Sequence, residues 1–135
     1  MDEKILKFIR KMQLLSLAVL DEGKPYCASC FYAFDEGNLA FIVAGSEESA
    51  HVKAFLAEPC VAGTVALDTK VVGKIEGVQF RALAAPATAQ QSKIYFARFP
   101  YALAMNPSLY ALSLGWVKFT HNALGFGRKM IWQRD

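Results

Sequence analysis

Ile5, Phe8, Ile9 and Met12 recur at helical spacing, with Lys4, Lys7, Arg10 and Lys11 elsewhere on the wheel, so an amphipathic helix opens the chain. Residues 14–20 form a short apolar run, ended by the turn cluster Asp21-Glu-Gly-Lys-Pro25. A second run covers 26–34, a second turn follows at Asp35-Glu-Gly-Asn38, and a third run covers 39–44. Three short apolar segments parted by Gly-containing turns predict an antiparallel meander.

The next stretch, Gly45-Ser-Glu-Glu-Ser49, starts a helix with Val52, Phe55 and Leu56 on one side, and Pro59 stops it. Ser46 and Ser49 are rival N-caps. Residues 61–67 and 75–83 read as two more strands, Gly77 marking a bulge or a close approach in the second. Thr88-Ala-Gln-Gln91 is a capping box for a helix that runs to about Arg98, before Phe99-Pro100 ends it. Past Asn106-Pro107, Tyr110, Leu112, Leu114 and Trp116 alternate with Leu109, Ala111, Ser113 and Val117 in a long strand apolar on both faces.

This order predicts a mainly β (α+β) fold: an antiparallel six-stranded barrel with short peripheral helices. A strand apolar on both faces must be covered on both, by the barrel interior and by something outside, for which a second subunit is the natural candidate. The C-terminal stretch adds Phe119, Leu124, Phe126, Met130, Ile131 and Trp132, with Arg128 and Lys129 among them. Such a tail needs a surface to dock on. It could close a pocket for an anionic ligand beside the Gly125-Phe126-Gly127 turn, or form a last strand with a solvated basic edge; composition favours the strand.

At 135 residues the chain is long enough for one core, so a single domain over 1–135 is expected. With 54% hydrophobic and 20% charged residues it is not a disordered chain. A net charge of +3 is too balanced to argue nucleic-acid binding. No apolar run approaches membrane-spanning length and no secretory pattern opens the chain, so a cytoplasmic protein is expected. Three cysteines suit a reducing compartment. Cys27-Ala-Ser-Cys30 has redox or metal spacing, but on a strand residues three apart point to opposite faces, so no metal site is expected.

Common catalytic signatures are missing: no Gly-x-Ser-x-Gly elbow, no phosphate loop, no His-Glu-x-x-His. The carboxylate pairs Asp35-Glu36 and Glu47-Glu48 fall in turns or at a helix start, where solvated charge is the ordinary role. Ser49-Ala-His51-Val-Lys53 could converge with free backbone amides on a phosphate. The alternative is a capped surface helix with His51 exposed, which Glu47 and Glu48 favour. His121 reads as a turn residue.

Several segments together resemble the pyridoxamine phosphate oxidase-like FMN-binding split barrels, and within them a small YhbP-like bacterial branch. These are Phe31-Tyr-Ala-Phe-Asp35, Val61-Ala-Gly-Thr-Val65, Gly77-Val-Gln-Phe80, Arg98-Phe-Pro100, Lys118-Phe-Thr120 and Leu124-Gly-Phe-Gly-Arg-Lys-Met-Ile-Trp132. The resemblance implies a homodimer with FMN between its subunits, used for oxidation-reduction. The phosphate would lie near Ser49, His51 and Lys53, with His51 where lysine is usual. Backbone around Ala28, Ser29 and Cys30 and around Ile42 and Val43 would meet the flavin ring, and Lys129 would reach it from the partner chain. The family's basic second strand is here Cys27-Ala-Ser-Cys-Phe-Tyr32, without its two cations, and its tryptophan is replaced by Thr120. Each charge-assisted hydrogen bond contributes about 1.5–3 kcal/mol, so FMN affinity should be well below the oxidases', and vitamin B6 oxidation is not expected. The competing implication is a dimer that has lost flavin and holds another ligand, haem among them. A barrel stacking single-stranded RNA on Tyr26, Phe31 and Tyr32 is a third reading, disfavoured by the balanced charge.

Overall fold

Asp2 caps the first helix by accepting a hydrogen bond from the Lys4 amide at 2.7 Å. This computed structural model describes residues 1–122 and 129–135. Helix α1 (Glu3–Lys11) buries Ile5, Phe8 and Ile9, each burial worth about 1.5–3 kcal/mol. Strands β1 (Leu14–Asp21) and β2 (Lys24–Asp35) follow as a hairpin whose two-residue turn, Glu22-Gly23, has φ of 51° and 78°. Positive φ at both positions matches the twist of the strands it joins. Then come β3 (Ala40–Gly45), α2 (Ala50–Ala57), β4 (Cys60–Ala66), β5 (Glu76–Pro86), α3 (Ala89–Arg98), β6 (Ser108–His121) and β7 (Lys129–Gln133). Short 3₁₀ segments lie at Val72–Lys74 and Pro100–Met105.

All strands belong to one antiparallel sheet ordered β3-β2-β1-β4-β5-β6-β7, and pairing of β3 with β6 closes its first six strands into a barrel. The tail is thus a seventh strand, paired through Trp116↔Gln133 and Thr120↔Lys129, with Lys129 exposed and Met130 and Trp132 packed on the core. It takes the strand form of the two readings. Gly125-Phe126-Gly127, Leu124 and Arg128 lie outside the described residues.

Helices close both mouths of the barrel. Phe8 of α1 meets Phe119 with ring centroids 5.5 Å apart, and Phe55 of α2 meets Tyr110 at 5.0 Å. The third helix lies outside, where Tyr95 packs with Ala33, Ala40, Ile42 and Ala111. That helix covers the outer side of the first half of β6, a cover expected from a second subunit. Its capping box is present, and Gln91 does double duty: Oε1 accepts from the Thr88 amide at 3.0 Å while Nε2 donates to buried Asp35 at 3.0 Å.

Three local expectations change. The alternation along β6 breaks because Arg81 pairs with Trp116 while Ala82 pairs with Leu114, leaving Gly115 as a bulge residue. Tyr110, Leu112 and Leu114 point inward, but beyond the bulge Val117 and Phe119 take the interior and Trp116 turns out toward Arg81. Gly77 marks a close approach and not a bulge, since a Cβ there would sit 3.3 Å from the Val65 carbonyl oxygen. The tighter site, unremarked in the sequence, is Gly63, where a Cβ would sit 2.4 Å from the Phe80 ring. Leu56 is exposed, and Ala54 joins Val52 and Phe55 on the buried side of α2.

Candidate functional site

The ladder between β2 and β3 runs only from Asp35↔Ala40 to Tyr32↔Val43. Beyond it β2 stays with β1 and β3 stays with β6, so the two strands part at Phe31 and Ala44. Ala28, Ser29 and Cys30 lie along the parted stretch: Ala28 is half-buried, Ser29 exposed and Cys30 buried. Burial pushes the Cys30 thiol up to about 11, so it packs as an inert apolar group. Cys27 is exposed, on the opposite face from Cys30, as the strand reading required. Ile42 and Val43 are fully buried, so they can offer a ligand no side-chain surface.

At the far end of β3 the chain enters α2. Ser46 makes the turn, its Oγ accepting from the Glu48 amide at 3.2 Å. Ser49 occupies the N-cap position, and its side chain makes no capping bond. The amides of the first turn also lack intrahelical partners, so hydroxyl and amides together form an anion-compatible set. His51 is half-buried, its ring edge-on to Phe55 at 6.3 Å, and burial lowers its pKa below the ordinary histidine value. Lys53 is exposed. A shallow cavity of about 610 Å³ just ahead of α2 is lined by Gly45, Ser46, Glu47, Glu48, Met105 and Asn106, not by Ser49, His51 or Lys53. Ser49 thus stands at the cap of α2, with His51 and Lys53 following at spacings of two that do not share a helix face, and with Glu47 and Glu48 just ahead of the cap.

Lys129 is elsewhere. It pairs with Thr120 and lines a cleft of about 520 Å³ with Thr64, Gly77, Gln79 and Thr120. Pairings Thr64↔Gln79, Gln79↔Lys118 and Gly77↔Thr120↔Lys129 align these residues on the outer face of β4 to β7. One pair along, the Arg81 guanidinium lies over the Trp116 ring at 5.2 Å. Sequence reading passed over Gln79, Arg81 and Lys118 as site residues. Period-two alternation in 77–83 would have put Gln79 and Arg81 on one face, but only the β5–β6 register brings Lys118 to them. Phe55 of α2 meets β6 at Tyr110 while Lys129 meets it at Thr120. Ten residues of strand separate those points by roughly 33 Å. Within one chain, His51 and Lys129 thus stand near opposite ends of β6.

His121 is not a turn residue: it ends β6 opposite Glu76, with Nε2 3.6 Å from the Glu76 carboxylate. Among the described residues no group of three His, Cys, Asp or Glu side chains is placed to hold a metal, and no helix is long and apolar enough to cross a membrane.

No family model matches the chain. Among curated proteins, a UPF0306 protein of Campylobacter jejuni is 46% identical over 131 residues, covering 96% of both chains. The chain belongs to the UPF0306 family. A UPF0306 protein of Yersinia pseudotuberculosis is 37% identical over 134 residues, 96% of this chain and 91% of that one. Solved structures align at lower identity and bear on the fold. A haem binding protein from Mycobacterium smegmatis superposes with TM-score 0.76 at 16% identity, covering 90% of this UPF0306 chain but only 53% of that longer one. A NimC/NimA family protein from Clostridium acetobutylicum gives 0.74 at 13% over 98% and 91% of the two chains. An FAD-binding protein from Mesorhizobium loti gives 0.71 at 12% over 84% and 87%. The UPF0306 fold is that of the split barrels.

Proposed function

We propose that this UPF0306 protein is a homodimer of the pyridoxamine phosphate oxidase-like kind, near its YhbP-like branch, that binds FMN or a related cofactor between subunits for oxidation-reduction. One observation carries this reading: the anion-compatible start of α2 and the cationic face around Lys129 lie at opposite ends of one chain, so a shared ligand needs two chains. Large apolar side chains left exposed on the outer sheet face, Leu14, Leu20, Phe31, Leu83 and Ile131, supply a surface for the second copy.

The residues fit a phosphate-bearing group, with thin charge compensation. Ser49 and the first α2 amides would hold the phosphate, His51 would add charge when protonated, and Lys53 would stand nearby. Backbone at Ala28, Ser29 and Cys30, and at Ile42 and Val43, would meet the ring, the side chains of the last two being buried on opposite faces of β3. Lys129, Gln79 and Lys118 would approach from the partner subunit. The flavin, when bound, supplies hydride acceptance at N5. Among the described residues none is assigned as an acid or base here, so the substrate is left open.

A second reading is favoured by one feature. The stretch 27–32 carries no cation and His51 is weakly basic, which suits a less anionic ligand such as haem in the same inter-subunit position. The structural neighbour from Mycobacterium smegmatis is itself described as a haem binding protein. Absorption titrations of the purified protein with FMN and with haemin, run beside sedimentation velocity, separate the readings. Saturable FMN binding by a dimer supports the first, a saturable Soret shift with no FMN binding supports the second, and a monomer that binds neither overturns both.

A further inference from the structure

Residues 99–108, Phe-Pro-Tyr-Ala-Leu-Ala-Met-Asn-Pro-Ser, carry no charge. The 3₁₀ segment within them seats Ala102 against the outer cluster of β2, β3 and β6 and leaves Tyr101, Leu103 and Met105 outside. Tyr101 is 93% exposed and Met105 81%, the most exposed large apolar side chains among the described residues. Single exposed apolar groups are ordinary, but three on one short uncharged segment form a knob. An open hollow of about 580 Å³ lies elsewhere on the outer face. Leu20, Pro25, Cys60 and Leu83 are its exposed walls and half-buried Ala18 and Ala62 its accessible floor. None of its lining residues is acidic, and none comes from the knob.

Knob and hollow flank β1. Phe99, at the head of the knob, meets Phe31 of β2 with ring centroids 6.0 Å apart, while the hollow spreads over β4, where Ala62 pairs with Arg81 and Cys60 with Leu83. Strand order β2-β1-β4 puts β1 between those two sides. Both features also lie toward the barrel end that α2 closes. Ser108, at the foot of the knob, pairs with Gly45 just ahead of α2, and Leu83 pairs with Ser113, close along β6 to the Tyr110 that Phe55 meets. A two-fold axis beside β1 and parallel to the barrel keeps every level and sets the β2 side of each copy against the β4 side of the other. One operation then covers both apolar surfaces twice, together with exposed Leu14 and its cross-strand partner Phe31. We propose that Tyr101, Leu103 and Met105 of each copy fill the hollow of the other, an exchange that rests on the homodimer reading above and fixes how its subunits meet. A second copy is the occupant because one chain carries both halves of the fit at one level. Met105 also lines the cavity ahead of α2, whose own lining offers Glu47 and Glu48 but no cation. The exchange therefore brings the rim of the partner's hollow, with the partner's Arg81, to that cavity and completes its wall with a guanidinium.

Cys60 in the hollow is a native reporter. With Cys27→Ser it is the one exposed thiol, since Cys30 is buried. Tyr101→Cys, Leu103→Cys and Met105→Cys are added singly to that full-length chain, and each is treated with a short bis-maleimide. A covalent dimer on denaturing gels is expected from at least one of them, absent from the chain without a knob cysteine and lost when Cys60→Ser is added. Tyr101→Ser combined with Met105→Ser should weaken the dimer at least about tenfold in sedimentation equilibrium, with the circular dichroism of the wild type retained because both side chains are exposed. A wild-type dimer that shows no Cys60-dependent coupling at any of the three positions, or that the double serine variant does not weaken, overturns the exchange and leaves the homodimer standing. A wild-type monomer overturns both.

Discussion

Arg134 Nε donates to the Leu114 carbonyl oxygen at 2.7 Å, and Arg134 Nη2 reaches the Asn38 carbonyl oxygen at 3.1 Å. Leu114 stands where the outer edge of β6 stops pairing with β3 at Ser113 and begins pairing with β7 at Trp116. Its own amide goes to Leu39, and the Arg134 amide bonds the Gly115 carbonyl at 3.0 Å. One arginine thus fills the fork between two strands that share an edge. Replacing it with Met keeps the stem and removes the donors. The cost should be about 1–2 kcal/mol, read as a lower urea midpoint, with faster amide exchange along β7 than along β5. An unchanged midpoint and unchanged β7 exchange would mean that Arg134 only decorates the fork.

Gly63 and Gly77 separate steric need from turn preference. A Cβ at 63 would fall 2.4 Å from the Phe80 ring and 2.5 Å from the Ser16 carbonyl oxygen, one neighbour being backbone, while at 77 the nearest atom is 3.3 Å away. Gly63→Ala should therefore lower stability by about 1–3 kcal/mol and Gly77→Ala by less, in matched denaturation curves. A reversed order would show that the barrel relaxes at β4 more easily than at β5.

Buried Asp35 accepts from Asn38 Nδ2 at 2.8 Å and from Gln91 Nε2 at 3.0 Å. Burial alone would raise its pKa, but the hydrogen bonds from Asn38 and Gln91 outweigh it and hold the carboxylate below its ordinary value. A depressed folded-state pKa contributes stability that is present above the unfolded value of about 3.9 and is lost as pH falls through the folded value. Asp35→Asn should thus cost about 1–2 kcal/mol at neutral pH, with the gap to wild type shrinking below about pH 4. A gap that is constant from pH 7 to pH 3 would contradict this.

At the proposed cofactor site, burial favours neutral His51, so its charge arrives only on the acid side of its ordinary range. FMN affinity should weaken as pH rises through that titration. Phosphate itself titrates near about pH 6, so the informative quantity is the difference between wild type and His51→Ala. That difference should close toward pH 8, and Lys129→Ala should weaken binding at every pH by about three- to tenfold. Identical affinities in all three proteins would place the phosphate elsewhere.

Leu83 is 56% exposed and pairs with Ser113 beside the outward-facing Arg81 and Trp116. If this face meets a second copy, Leu83→Asp should convert a dimer to a monomer in sedimentation velocity, and FMN binding should fall with it. A dimer that persists with Leu83→Asp would move the interface off this face.

What the chain declared by itself is what depends on near neighbours in sequence. Helical spacing at Ile5, Phe8 and Ile9, the Thr88–Gln91 capping box, and Gly-containing turns such as Glu22-Gly23 act within a few residues, so they are readable and led to the barrel. The helix start at Ser49 was legible too, though sequence left Ser46 and Ser49 as rival caps and only the structure chose Ser49. Tertiary structure decided the rest through register. Gly115 is an unremarked residue until Arg81 and Ala82 pair across it, and that bulge alone sends Trp116 outside and Val117 inside. Asp35 meets Gln91, and Gln79 meets Lys118, only because strands and helices far apart in sequence are packed together. The distance between His51 and Lys129 belongs to neither residue. It follows from where α2 and β7 meet β6, near its two ends, which an extended strand holds apart.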